Sequence, residues 1–178
     1  HYGGGIFNRS MSADYSNVLF VDNEASLGGA IYSPYQEGNN ILSNVTLFNN
    51  SASSEYDGIY NSSGTISIEN SNIVDNGEAL YNENSLEYTP AIYNYWGDPS
   101  GPYHPSQNPN GNGDSVNVLV NIDPWLTTPN TDAPPIPAQN PHRILNTITT
   151  TKEHKRQHRP QTPPSKQTQL RKTTPPSQ

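Results

Sequence analysis

The feature that most constrains this chain is a repeat. The run "SNVLFVDN" (Ser16–Asn23) returns as "SNVTLFNN" (Ser43–Asn50) and, more loosely, as "NSNIVDN" (Asn70–Asn76). Asn17, Asn44 and Asn70 fall in register, 27 and 26 residues apart, as do Asn23, Asn50 and Asn76. A second motif follows each run: "GGAIY" at Gly28–Tyr32, "DGIY" at Asp57–Tyr60 and "EALY" at Glu78–Tyr81. A third short run, "GTISIEN" (Gly64–Asn70), precedes the asparagines. Fixed periods of this size outrank local signals in reading a fold.

Within each unit the apolar residues alternate. Val18 and Phe20, Val45 and Leu47, Ile66 and Ile68 each share one side, which is strand periodicity. No helical period appears in residues 1–125. Short strands at a constant period without helices predict an all-β fold, a parallel β-helix with one coil per repeat. Equivalent residues then stack: Val18 on Val45 and Ser71, Phe20 on Leu47 and Ile73, Ile6 on Ile31, Ile59 and Leu80. The six repeat asparagines are expected at the corners, where amides bond along the stack and tolerate left-handed backbone. The glycines permit corners too tight for a Cβ.

These motifs resemble a known group. "GGAI" (Gly28–Ile31) and "FVDN" (Phe20–Asn23) are similar to the paired GGAI and FxxN signatures of chlamydial polymorphic outer membrane protein repeats, and "GGGI" (Gly3–Ile6) fits as well. Later copies depart: "LFNN" has Leu47 in place of the aromatic, and "YDGIY" lacks the double glycine. The segment "YNYWGDPSGPYHPSQNPNGNGDSV…NIDPWL" (Tyr93–Leu126) resembles the closing segment of bacterial secreted right-handed parallel β-helix proteins. The resemblance spans residues 1–126. It implies a right-handed parallel β-helix and a secreted or cell-surface, outer-membrane-associated location. It does not imply one activity, because that scaffold carries lyases, hydrolases and adhesins alike.

The closing segment reads as a cap over residues 93–126. Trp96 and Trp125 are expected to cover the end of the last coil. Prolines 99, 102, 105 and 109 are expected to keep the loop out of strand pairing. Val116, Val118, Val120 and Ile122 alternate as one last strand. The chain begins in mid-pattern at His1, so these coils are expected to be the C-terminal part of a longer protein.

Composition then divides the chain. Residues 1–142 carry one basic side chain, Arg9, against fifteen acidic ones, a formal charge of −14. Residues 143–178 carry eight Lys or Arg and one acid, Glu153, a formal charge of +7. The last aromatic is Trp125 and the last glycine Gly113, while ten of the 17 prolines lie at or beyond Pro129. The expected division is a folded part, 1–128, and a disordered Pro/Thr/Lys-rich tail, 129–178. The basic run "KEHKRQHRP" (Lys152–Pro160) has no aromatic interleaving, and no nucleic-acid partner is expected. No apolar run is long enough to form a transmembrane segment.

Candidate sites are few. Lyase chemistry of the β-helix type needs a basic residue beside a carboxylate cluster, and Arg9 is the one such base in the folded part. Asp22 and Asp75 fall at equivalent corners of non-adjacent coils with Asn49 between them, and Asp57 aligns loosely with Glu78; these read as solvated acidic corners rather than the close carboxylate pair a glycosidase needs. No catalytic residue or metal ligand is assigned. "NPNGNGD" (Asn108–Asp114) imitates a calcium loop but has Leu119 where a bidentate Glu is needed, so at most weak Ca²⁺ binding at Asp98 and Asp114 is expected. His104 has no catalytic partner at a useful spacing, which points to packing. Tyr32, Tyr60 and Tyr81 form a stripe that could stack on a sugar or simply on itself.

The resulting expectation is a non-catalytic, surface-exposed structural or adhesive β-helix, with cell-surface or host glycans or proteins as partners. Two alternatives stand beside it: the distal part of a polysaccharide-degrading enzyme, and a glycan-binding module.

Overall fold

The computed structural model describes residues 1–9, 12–34, 38–84 and 86–138. Most of the expected tail, residues 139–178, lies outside these. The described chain is an all-β parallel solenoid of about four turns. The first coil holds β1 (Ile6–Phe7), β2 (Ser12–Ser16), β3 (Leu19–Val21) and β4 (Glu24–Leu27). The second repeats them as β5 (Ile31–Ser33), β6 (Asn39–Ser43), β7 (Thr46–Phe48) and β8 (Ser51–Glu55). The third holds β9 (Ile59–Asn61), β10 (Thr65–Glu69) and β11 (Asn72–Val74). Next come β12 (Glu78–Asn82) and β13 (Thr89–Pro90), then β14 (Pro102–Tyr103), β15 (Gly113–Val116) and β16 (Val120–Asn121).

Each strand pairs in parallel with its equivalent in the next coil. One sheet runs β1-β5-β9-β12-β15-β14, two more run β2-β6-β10 and β3-β7-β11, and β4-β8 and β13-β16 form pairs. The register is the one the repeat demands: Phe20 lies against Leu47 and Leu47 against Ile73. Ile6, Ile31, Ile59, Leu80 and Val116 form a continuous line in the six-stranded sheet. These residues, with Leu42, Val45, Ile66 and Ile68, belong to the core inside the coils.

The corners divide their labour between two sets of residues. Asn17, Asn44 and Asn70 take left-handed backbone, with φ of 55°, 49° and 50°. Asn23, Asn50 and Asn76 do not; the residue before each, Asp22, Asn49 or Asp75, does so instead. Asn and Asp carry this conformation at least cost among residues with a Cβ. The double glycine has two reasons. Gly28 sits at φ 60°. A Cβ on Gly29 would lie 2.2 Å from the Asp57 carbonyl oxygen of the next coil.

The cap differs in detail from expectation. Tyr95 bridges Asn72, which places Trp96 one residue on, above Ile73. Trp96 is fully buried and belongs to the core. Trp125 lies over Gly101, where a Cβ would come within 2.6 Å of the indole. The expected last strand is broken: a turn separates β15 from β16, Val116, Val120 and Ile122 are buried, and Val118 is exposed. The prolines do not keep the loop unpaired, since Pro102–Tyr103 pairs with β15. A proline at a sheet edge needs no donor on its outer side.

Residues 130–134, assigned to the tail by composition, are part of the folded unit, which extends through Ala138. The Asn130 N–H donates to Asn72 Oδ1 at 2.8 Å, and Asn72 Nδ2 donates back to the Asn130 carbonyl at 3.0 Å. Thr46 Oγ1 donates to the Pro134 carbonyl, and Ala133 is buried. Thr46 and Asn72 occupy one rung of outward positions on β7 and β11 and are fully buried, while Leu19 on the same rung is 40% exposed. Composition failed here because the strap binds through side-chain amides and backbone rather than apolar bulk. Limited proteolysis is expected to leave a core reaching past Pro134. A chain ended at Thr128 should lose about 2 kcal/mol in a urea melt, the scale of a few net hydrogen bonds. A resistant core ending near Leu126 with unchanged stability would contradict the strap.

Candidate functional site

The outer side of the six-stranded sheet carries an aromatic line. Ile31, Ile59 and Leu80 point inward, so the next residue of each strand points out. Phe7, Tyr32, Tyr60 and Tyr81 pair in that order across the coils. Phe7 and Tyr32 stack at 5.4 Å and 10°, Tyr32 and Tyr60 at 5.0 Å and 9°. Tyr2 extends the line beside Tyr32, and the Arg9 guanidinium lies 5.8 Å from the Phe7 ring centre, within cation–π range.

Tyr56 completes the cluster and was not singled out in the sequence. Its ring lies 4.4 Å from Tyr60 and 4.1 Å from Tyr81. Its backbone is left-handed, φ 66°, at the position that Gly28 and Gly77 fill in neighbouring coils. For a bulky residue this is a strained conformation. The signal was present: "YDGIY" puts a tyrosine where "LGGAIY" has its first glycine.

Three phenols of the cluster are held in their neutral form. Burial, then the hydrogen bond to Glu83, pushes the Tyr60 phenol up to about 12. Burial also raises Tyr32 and Tyr56. These phenols stay neutral and poorly nucleophilic. Because parallel rings cover one another, the faces of Tyr32 and Tyr60 are closed to solvent, and Tyr60 is buried with its hydroxyl donating to Glu83. The line therefore holds coils together along the solenoid.

The asparagines form a second continuous device. Asn23 Nδ2 donates to Asn50 Oδ1 at 2.8 Å, and Asn50 Nδ2 to Asn76 Oδ1 at 2.8 Å. Asn76 Nδ2 donates to Asp114 Oδ2 at 2.9 Å. The chain of amides thus ends on a carboxylate. A parallel set missed in the sequence lies two residues after each inward Ile or Leu: Asn8, Ser33, Asn61 and Asn82. Asn8 donates to Asn40, Asn40 to Ser33, and Asn61 to Asn82. Extending the "GGAIY" motif by one residue would have revealed it.

The remaining candidates are scattered. Asp57 accepts from the Ala52 N–H at 2.8 Å and lies near the Glu78 N–H. Burial, then the charge of Asp57, raises the Glu78 carboxyl. Asn49 donates to Asp22, so that corner is a ladder rung. Asp98 accepts from the Ser100 N–H and hydroxyl, which hold its carboxyl below the usual range. In the loop whose sequence imitates a calcium site, Asn108 Nδ2 donates to the carbonyls of Ser100 and Pro102. Its amide hydrogens face the loop interior and brace it. Among the described residues, no group of three or more His, Cys, Asp or Glu is placed to hold a metal ion, and no helix is long and apolar enough to cross a membrane.

Asp114 carries a pH dependence. Desolvation pushes its carboxyl up to about 6, against about 3.9 in an unfolded chain. With the folded value raised, its favourable contribution is complete below about pH 4 and is lost as pH rises through 6. Two units correspond to roughly 3 kcal/mol, and the residue's partial exposure reduces this to about 1–2 kcal/mol. Asp114→Asn is therefore expected to stabilise the protein by that amount in urea melts at pH 7.5 and by only about a third as much at pH 4.5. An equal gain at both pH values would refute the linkage.

No protein-family model, curated protein or solved structure matches the chain.

Proposed function

We propose that this chain is a non-catalytic structural and adhesive β-solenoid, secreted or displayed at a bacterial cell surface. One observation carries the reading. The polar and aromatic side chains that recur in every coil are committed to bonds between coils, as in Asn23–Asn50–Asn76–Asp114 and Phe7–Tyr32–Tyr60–Tyr81. Such ladders make a stiff rod and leave its outer faces to make contacts. The GGAI and FxxN motifs, similar to polymorphic outer membrane protein repeats, support the surface location. The −14 charge of residues 1–142 repels acidic polysaccharides and favours neutral glycans or protein partners.

The test is adhesion of the purified full chain to cells and immobilised glycans, alongside assays on pectin and alginate. The expected result is adhesion without turnover. Calcium-dependent release of unsaturated sugar from polygalacturonate, abolished by Arg9→Ala, would overturn the reading in favour of an enzyme.

A further inference from the structure

We propose that a cleft beside Tyr88 binds a neutral sugar. This rests on the adhesive reading and names the ligand class. The cleft, of ≈ 300 Å³, lies between the outer side of β10 and the strip that leads into β13. That volume is at the small end of ligand sites. Ile66 and Ile68 of β10 point into the core, so Thr65 and Ser67 face the cleft. Asn39, from the paired strand β6, extends that wall. Glu87, Tyr88 and Pro90 form the other.

The walls are fixed by their own bonds. Thr65 Oγ1 donates to Asn39 Oδ1 at 3.0 Å. Asn82 Nδ2 donates to the Glu87 carbonyl at 2.9 Å, and Asn84 Nδ2 to the Gly64 carbonyl at 2.8 Å. Just past Tyr88, Thr89 and Pro90 are paired with Val120 and Asn121. The backbone on both sides of Tyr88 is thus held, while its side chain is not packed away: the residue is 66% exposed. Among the described residues its ring has no aromatic neighbour. This is the reverse of Tyr32 and Tyr60, whose faces are covered.

An uncovered ring on a pinned backbone, beside amide and hydroxyl groups, matches a ligand with one apolar face and a rim of hydroxyls. Sugar hydroxyls can donate to the Glu87 carboxylate and exchange hydrogen bonds with Ser67, Thr65 and Asn39. An apolar ligand would strip water from those groups and leave them unpaired. An anionic one meets no cation in the lining, and the surrounding charge is negative. A quaternary amine would use Tyr88 and Glu87 but leave the neutral groups idle.

Calorimetric titration of the full chain with neutral gluco-, galacto- and manno-configured disaccharides, digalacturonate and choline tests this. At least one neutral disaccharide should bind. Tyr88→Ala should weaken it at least about tenfold, Ser67→Ala by a smaller factor, and Tyr88→Phe little, with melting unchanged in all three. No neutral binding, unchanged affinity in Tyr88→Ala, or stronger binding of choline or digalacturonate would each overturn the site. Adhesion by a full chain that binds none of the neutral disaccharides sinks the cleft and leaves the adhesive reading. Sugar binding by a chain that does not adhere does the opposite.

Discussion

Leu47→Asp is expected to abolish cooperative folding, or to cost at least about 5 kcal/mol where a transition is still measurable. Leu47 is fully buried between Phe20 and Ile73 in the middle of the stack. A carboxylate there has no partner and no water, and isolated buried charge is among the most costly single changes. Neutralising it by protonation would still leave a polar group in an apolar line. Neighbouring coils transmit the damage because each stands only on the next. Val118→Asp provides the control. Val118 lies in the cap and is 51% exposed, so its change should stay within about 0.5 kcal/mol. Thermal melts followed by far-UV circular dichroism separate the two. A Leu47→Asp protein that melts like its parent would refute the register of the whole stack.

That register was legible because the repeat is covalently spaced. Once Asn17, Asn44 and Asn70 align, the two-residue strand period decides which neighbours point inward, and the core pairs follow without further information. Side-chain partnerships that cross the period were harder to see. Asp114 ends the asparagine ladder although it lies 38 residues beyond Asn76 and outside the repeat. The 130–134 strap bonds to Thr46 and Asn72 through groups that appear polar and unremarkable in sequence. The tyrosine line illustrates the other limit. Its positions were evident, but whether rings show faces or edges depends on stacking geometry, which the pattern does not contain. Tyr88 escaped notice for the opposite reason: it belongs to no ladder, and only the folded strip beside β10 gives it neighbours.

His104 is expected to govern the acid limb of stability, in opposition to Asp114. The imidazole is fully buried. Its Nδ1 accepts from the N–H groups of Ser106 and Gln107 at 3.1 and 2.9 Å, and Nε2 lies 3.0 Å from the Val120 carbonyl. Two donors on Nδ1 assign the proton to Nε2, so the ring bridges the loop to β16 as the neutral tautomer. A proton added at Nδ1 would face those two N–H groups in a desolvated site, and burial accordingly lowers the group's pKa. With the folded value depressed, the stabilising contribution is present above the unfolded value near 6.5 and is lost as pH falls through the folded one. Over that range Asp114 is gaining its proton and recovering stability, so the two partly cancel. Urea melts between pH 4.5 and 7.5 should therefore show a steeper acid loss in Asp114→Asn than in the parent. His104→Ala should flatten it while lowering stability at pH 7.5 by about 3–4 kcal/mol, the cost of a buried bridge whose partners are left unpaired. If His104→Ala melts with its parent at pH 7.5, the ring does not hold the cap.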